Sequence, residues 1–195
     1  MKQRVCPWWM GRLLLNPFRR MLSDPNKLLS PFVRPGMTVL EPGPGLGFFT
    51  LDIARLVGET GRVVTIDIQP EMVAGLKRRV EASPFTDRIE VRLGEVDEAF
   101  SEAFAARFDL IFASAVIHEI PDARSFFQYA VRILKPGAQF VMIEPSMHVS
   151  EKAFMDTFHT ASDAGMAFME MLKLRMARGM VLTNAPCLEP ADSGR

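Results

Sequence analysis

Apolar positions change their period several times along the chain, and these changes divide it into elements. Over residues 8–32 they recur at helical spacing. Trp8, Trp9, Leu13, Leu14, Phe18, Met21 and Leu22 approximate one broad face, with Arg12, Arg19 and Arg20 elsewhere. Asp24-Pro25 reads as an N-cap and first helical position, opening a short helix through Leu29, and Pro35-Gly36 marks a turn. From Thr38 onward, short β-branched or apolar runs alternate with helical ones. The runs at 38–41, 62–68, 89–93, 108–114 and 139–144 predict strands. The segments 48–57, 70–82, 98–106 and 123–134 between them predict helices, the last closed by Lys135-Pro136-Gly137. A further helix is expected over 151–164, ending at Gly165, with 169–176 and 180–183 as a candidate antiparallel closing pair.

Strands separated by helical segments imply βαβ units, hence an α/β, doubly wound fold with a parallel sheet and helices on both faces. The 195 residues suit one domain with a short appendage. The expected division is an N-terminal helical cap or lid over 1–35, the main domain over 36–184, and a polar, Pro-containing, disordered tail over 185–195. A hydrophobic content of 48% argues against overall disorder. Zero formal net charge leaves no electrostatic footprint for nucleic acid, and none is expected as a partner. Cys6 and Cys187 make neither a disulfide framework nor a structural zinc site, and no metal is expected. Leu13-Leu14-Leu15 superficially resembles a signal core, but Arg12 interrupts it, Arg19 and Arg20 close it, and no small-residue cleavage site follows. With no apolar run near the roughly 20 residues of a membrane span, the chain reads as cytoplasmic. Contact with a membrane surface through residues 8–22 is the one membrane option.

The densest chemical signal is Glu41-Pro42-Gly43-Pro44-Gly45-Leu46-Gly47, between a predicted strand and a predicted helix. Glycines allow a tight turn and a close approach to a ligand, and the following helix offers unpaired N–H groups. Asp67 stands 20 residues beyond Gly47, at the end of the second predicted strand. An acid at this spacing accepts a ribose hydroxyl pair in nucleotide-binding α/β folds. Two ligand classes share that geometry. A dinucleotide fingerprint wants glycine where Phe48 stands, and Glu41 would repel a pyrophosphate while attracting a sulfonium donor with a cationic amino group.

With Glu41–Gly47, Asp67, Phe108-Asp109-Leu110-Ile111-Phe112, Ile117-His118-Glu119 and Leu134-Lys135-Pro136-Gly137, the chain resembles the class I S-adenosylmethionine-dependent methyltransferases over about residues 36–184. It looks nearest to the small type 11 and ubiquinone/menaquinone methyltransferase-like members. The resemblance implies a Rossmann-like, seven-stranded, mostly parallel sheet with an antiparallel closing strand, and S-adenosylmethionine as cofactor. It implies that Gly43, Pro44, Gly45 and Gly47 pack under the methionine part and that Glu41 orients its amino group. Asp67 would bind the ribose and Ile68 would lie against the adenine. Glu95 and Val96 would meet the adenine, with Asp97 as the alternative acid, and Ser114 and Ala115 would line the methionine end.

The acceptor side is less defined. His118, Glu119, Glu144 and His148 fall at the carboxyl ends of the fourth and fifth predicted strands, where ligands bind in this architecture. His118 is the candidate base, because an unperturbed imidazole titrates at about 6.5; packing beside the cofactor is its other reading. Glu144 is the second catalytic candidate, with a structural use as its alternative. The expected function is methyl transfer to a small or medium-sized acceptor, for which an apolar character is one option suggested by Trp8, Trp9, Leu13, Leu14 and Phe18. A nicotinamide-dependent oxidoreductase and a non-catalytic cofactor-binding module are the competing readings. Oligomeric state is not legible.

Overall fold

Asp24 opens the first helix as its spacing predicts: its side chain accepts from the Asn26 amide at 3.0 Å, and α1 runs Pro25–Leu29. The computed structural model describes residues 24–95 and 105–184. The first 23 residues of the expected cap over 1–35, most of the short helix predicted over 98–106, Val96, Asp97, both cysteines and the tail from 185 therefore lie outside the described residues.

Beyond α1 the described elements are β1 (Thr38–Pro42), α2 (Thr50–Leu56), β2 (Arg62–Asp67), α3 (Pro70–Glu81), β3 (Ile89–Leu93), β4 (Phe108–Ser114), α4 (Ala123–Ile133), β5 (Leu134–Pro145), α5 (Glu151–Asp163), β6 (Ala167–Leu172) and β7 (Ala177–Thr183). The seven strands form one sheet in the order β3-β2-β1-β4-β5-β7-β6. The first five run parallel, and β7 lies antiparallel to both β5 and β6. This is the Rossmann-like sheet, with its antiparallel closing strand, that the resemblance implies.

Both faces of the sheet are covered, and the strand residues divide by parity accordingly. Val39, Val63, Leu110, Phe112, Val141, Ile143 and Val181 pack with α1, α2 and α3 through Leu29, Ile53, Leu76 and Val80. Leu40, Val64, Ile66, Ile111, Ala113, Phe140, Met142 and Leu182 pack on the other side with Phe127 and Ala130 of α4 and Phe154 and Ala161 of α5. Leu29, Phe32 and Val33 belong to the first of these cores.

Several boundaries differ from expectation. The strand predicted to begin at Gln139 begins at Leu134, because Leu134 pairs with Phe108 ahead of a register irregularity between Phe108 and Leu110. Lys135 is held there by Asp109, its Nζ donating to Oδ1 at 2.6 Å, while the other oxygen accepts from the Thr38 amide at 2.8 Å. The closing hairpin starts at Ala167 rather than Met169 and turns after Leu172, since its last ladder pair is Leu172 with Gly179. Ala105 and Ala106, at the end of the short predicted helix, form a turn, with Ala106 at φ 50°.

Because β1 is flanked by β2 on one side and β4 on the other, the chain winds outward in both directions from it. The carboxyl ends of β1, β2, β4 and β5 therefore border one crevice, the place where open α/β sheets bind ligands.

Candidate active site

The loop from Gly43 to Gly47 leaves β1 with the Gly43 amide donating to the Ile66 carbonyl at 2.9 Å and closes on itself from the Gly47 amide to the Pro44 carbonyl at 2.9 Å. Its three glycines have different reasons to lack a side chain. A Cβ on Gly43 would overlap Val116, and one on Gly47 would overlap Leu76 of α3. Both are close-packing positions inside the protein. Gly45, at φ +55°, faces open space: a Cβ there meets nothing within 4 Å. From beneath, Arg79 of α3 donates to the carbonyls of Leu46 and Gly47, the latter at 3.0 Å.

Glu41 is buried beside this loop, and its Oε2 accepts from the Thr50 hydroxyl at 2.6 Å. Burial pushes its carboxyl up to about 7, with the Thr50 bond acting in the opposite direction. Thr50 was not visible as a site residue in the sequence, because nothing in a helix-start threonine marks which acid it will meet nine positions back.

Asp67 ends β2 and is also buried. Its Oδ1 accepts from the Gln69 amide at 2.9 Å, and its Oδ2 accepts from the Gly45 amide at 3.3 Å. Desolvation raises its pKa while those amides pull it down. Gly45 and Asp67, 22 residues apart, are thus joined directly. Ile68 next to Asp67 is partly exposed, as an apolar wall on a crevice would be. The Gly94 amide donates to the Asp67 carbonyl at 3.1 Å, which brings the end of β3 and exposed Glu95 to the same rim.

Ser114 ends β4, and Ala115 turns the chain away with φ 57° while its amide donates to the Ile143 carbonyl at 2.8 Å. An alanine in the left-handed region costs roughly 1–2 kcal/mol. The turn it makes carries Val116 onto Gly43 and begins the short 3₁₀ turn Ile117–Glu119.

That turn meets Glu144 of β5. Glu144, 2% exposed, accepts from the amides of Ile117 at 2.9 Å and His118 at 3.3 Å through Oε1. Its Oε2 lies 2.6 Å from Nδ1 of His118. The hydrogen bond to Glu144 raises the His118 pKa, desolvation opposes it, and the charges of Glu144 and Glu119 add to the rise. The His148 ring lies 6.4 Å from that of His118. The two catalytic candidates are therefore in direct contact. No set of three or more His, Cys, Asp or Glu side chains among the described residues is arranged to hold a metal ion, and no helix among them is long and apolar enough to cross a membrane.

A methyltransferase domain family matches residues 34–184. Among curated proteins, protein-L-isoaspartate O-methyltransferase 1 of Arabidopsis thaliana is 34% identical over 121 residues, covering 60% of this chain and 49% of that protein. A ubiquinone/menaquinone biosynthesis C-methyltransferase of Hydrogenovibrio crunogenus is 34% identical over 117 residues, covering 57% and 43%. The chain thus spans about half the length of these relatives. Among solved structures, a SAM-dependent methyltransferase from Aquifex aeolicus superposes with a TM-score of 0.83 at 26% identity, covering 93% of this chain and all of that one.

Proposed function

The chain belongs to the methyltransferase domain family, with the class I S-adenosylmethionine-dependent fold, and from that premise we propose that it moves a methyl group onto a small or medium-sized acceptor held over the carboxyl ends of β4 and β5. The observation that carries this reading is the pairing of Gly45 with Asp67. The residues fit the donor. Gly45 presents bare backbone to open space, and each Asp67 oxygen accepts a backbone amide at one position and keeps lone pairs for hydroxyl donors.

In this reading Asp67 takes the ribose hydroxyls and Ile68 covers the adenine, with Glu95 at its edge. Gly45 lies under the methionine part, and Gly43 and Gly47 set the path of the loop by packing inward. Glu41, held by Thr50, faces the amino group, and Ser114 and Ala115 border the methionine end. When bound, S-adenosylmethionine supplies a methyl group on a sulfonium centre, already activated for displacement. The protein's contribution is then mainly proximity and orientation. The relatives named above act on an isoaspartyl residue and a quinone precursor by their names, so acceptor chemistry differs within this similarity range.

Differential thermal stabilisation tests the donor. At a concentration of a hundred times Kd, a ligand that binds only the folded state adds about 2.7 kcal/mol, equivalent to a Tm rise of roughly 5–10 °C for a chain of this size. S-adenosylhomocysteine should give such a rise and NAD none. Stabilisation by NAD alone would instead support an oxidoreductase. With the donor bound, turnover against an acceptor panel separates an enzyme from a binding module.

A further inference from the structure

The His118–Glu144 pair carries more hydrogen bonds than a packed contact requires. Glu144 is almost wholly buried, yet three donors converge on it: two backbone amides on Oε1 and the imidazole on Oε2. Such a set fixes the carboxyl group in direction. With Nδ1 donating to Oε2 at 2.6 Å, the neutral imidazole carries its lone pair on Nε2. Nε2 is not consumed within the protein by its nearest acid, since Glu119 Oε1 stands 3.9 Å away, beyond hydrogen-bond length. The His118 side chain is 28% exposed, so that edge of the ring is reachable. Among the described residues, the charged and titratable groups facing the imidazole are Glu144 from β5, Glu119 from its own turn and His148 from the turn after β5.

Val116, two residues before His118, is wedged against Gly43. His118 therefore stands one turn from the glycine loop. Beyond it stand two exposed methionines. Met147, 80% exposed, adjoins His148, and Met176, 58% exposed, lies beside it where the Ser146 amide donates to the Met176 carbonyl at 3.2 Å. Methionine adapts to irregular apolar and aromatic bodies.

We infer that His118 is the catalytic base for an acceptor carrying an acidic hydroxyl, a phenol or an enol on an apolar body, and that Glu144 is its positioning residue; this rests on the methyltransferase reading above. A neutral amine attacks through its own lone pair, and an aliphatic alcohol is too weak an acid for imidazole. A phenolic or enolic hydroxyl lies between them, within reach of a base near neutrality. The acceptor O–H bond breaks, its proton passes to Nε2 of His118 and its electrons stay on oxygen. The oxygen lone pair forms the new bond to the methyl carbon as the carbon–sulfur bond breaks, with that pair going to sulfur. The imidazolium is stabilised by Glu144 and then returns its proton to water.

The test uses the full chain, S-adenosylhomocysteine and 4-nitrophenol, whose phenolate absorbs in the visible. One pH unit below the probe's own pKa, the wild-type complex should show bound phenolate. His118→Gln should show at least fivefold less at equal occupancy while binding S-adenosylhomocysteine within twofold of wild type. Glu144→Gln should lower the His118 titration point, followed by the imidazole proton resonances, and reduce the phenolate signal with it. Binding of the probe without ionisation, equal ionisation in His118→Gln, or no uptake of the probe by a wild-type chain that holds S-adenosylhomocysteine would each overturn the inference. Failure of the wild type to bind S-adenosylhomocysteine would overturn the methyltransferase reading beneath it, and this inference with it.

Discussion

At the scale of single residues, Glu41 makes the most distinctive prediction. Burial holds its carboxyl near 7, so the unliganded protein carries it largely protonated at mildly acidic pH. A cationic amino group placed beside it favours the carboxylate and lowers that value. Donor binding at pH 6 should therefore release a fraction of a proton, measured by calorimetry in buffers of different ionisation enthalpy. Glu41→Gln should abolish the release. Proton uptake, or a release unchanged in the variant, would place the cationic group elsewhere. The sequence showed Glu41, Asp67, His118 and Glu144 as individual residues of the right chemistry. It did not show that Thr50 bonds Glu41, that Arg79 holds the loop carbonyls, or that Glu144 meets His118. Those partners are 9 to 33 residues apart, and periodicity reports only local order.

At the scale of elements, the glycine loop separates into packed positions and one that faces open space. Gly43→Ala would drive a methyl into Val116 as well as into a left-handed backbone, and it should cost several kcal/mol of stability, at the upper end for overpacking. Gly45→Ala meets only the backbone penalty of roughly 1–2 kcal/mol. It should nevertheless weaken donor binding by tenfold or more, because its methyl points where the ligand would lie. Chemical denaturation and S-adenosylhomocysteine titration of both variants check this pair; equal stability losses would remove the distinction. The spans of β3 and β4 match the sequence reading to the residue, since each is a run bounded by polar or turn residues. The start of β5 does not. Lys135-Pro136-Gly137 carries the local signature of a turn, and only the pairing of Leu134 with Phe108 makes it a strand. In the same way, the hairpin β6–β7 was visible as a pair, but its turn is set by the ladder of β7 on β5.

At the scale of the whole molecule, the fold class was legible because alternating parities and βαβ spacing leave few architectures open. The site gathers groups whose protonated forms are favoured in the unliganded protein, and this has a consequence for stability. Glu41 and Asp67 are raised by desolvation and His118 by its bond to Glu144. Each contributes stability that is present below its unfolded pKa and lost as pH rises through its folded one. For Glu41 that window runs from 4.5 to about 7; for His118 it opens at 6.5 and extends upward. Asp122, lowered by its cap to Ser125, acts in the opposite sense at acid pH but is fully exposed. The unliganded chain should therefore lose stability between about pH 5 and 8. Glu41→Gln should flatten the curve by on the order of 3 kcal/mol, at about 1.4 kcal/mol per pKa unit. Denaturant unfolding across that range, with and without S-adenosylhomocysteine, measures it; stability rising with pH in the unliganded protein would contradict the assignment.

The central claim is that the donor is held where Gly45 and Asp67 meet, and calorimetric titration of S-adenosylhomocysteine into the wild type and Asp67→Ala tests it most directly. Loss of even one net hydrogen bond to a charged group, at roughly 1.5–3 kcal/mol, weakens binding more than tenfold. The variant should retain its fold and show at least that loss in affinity, while unchanged affinity in a folded Asp67→Ala would contradict the account.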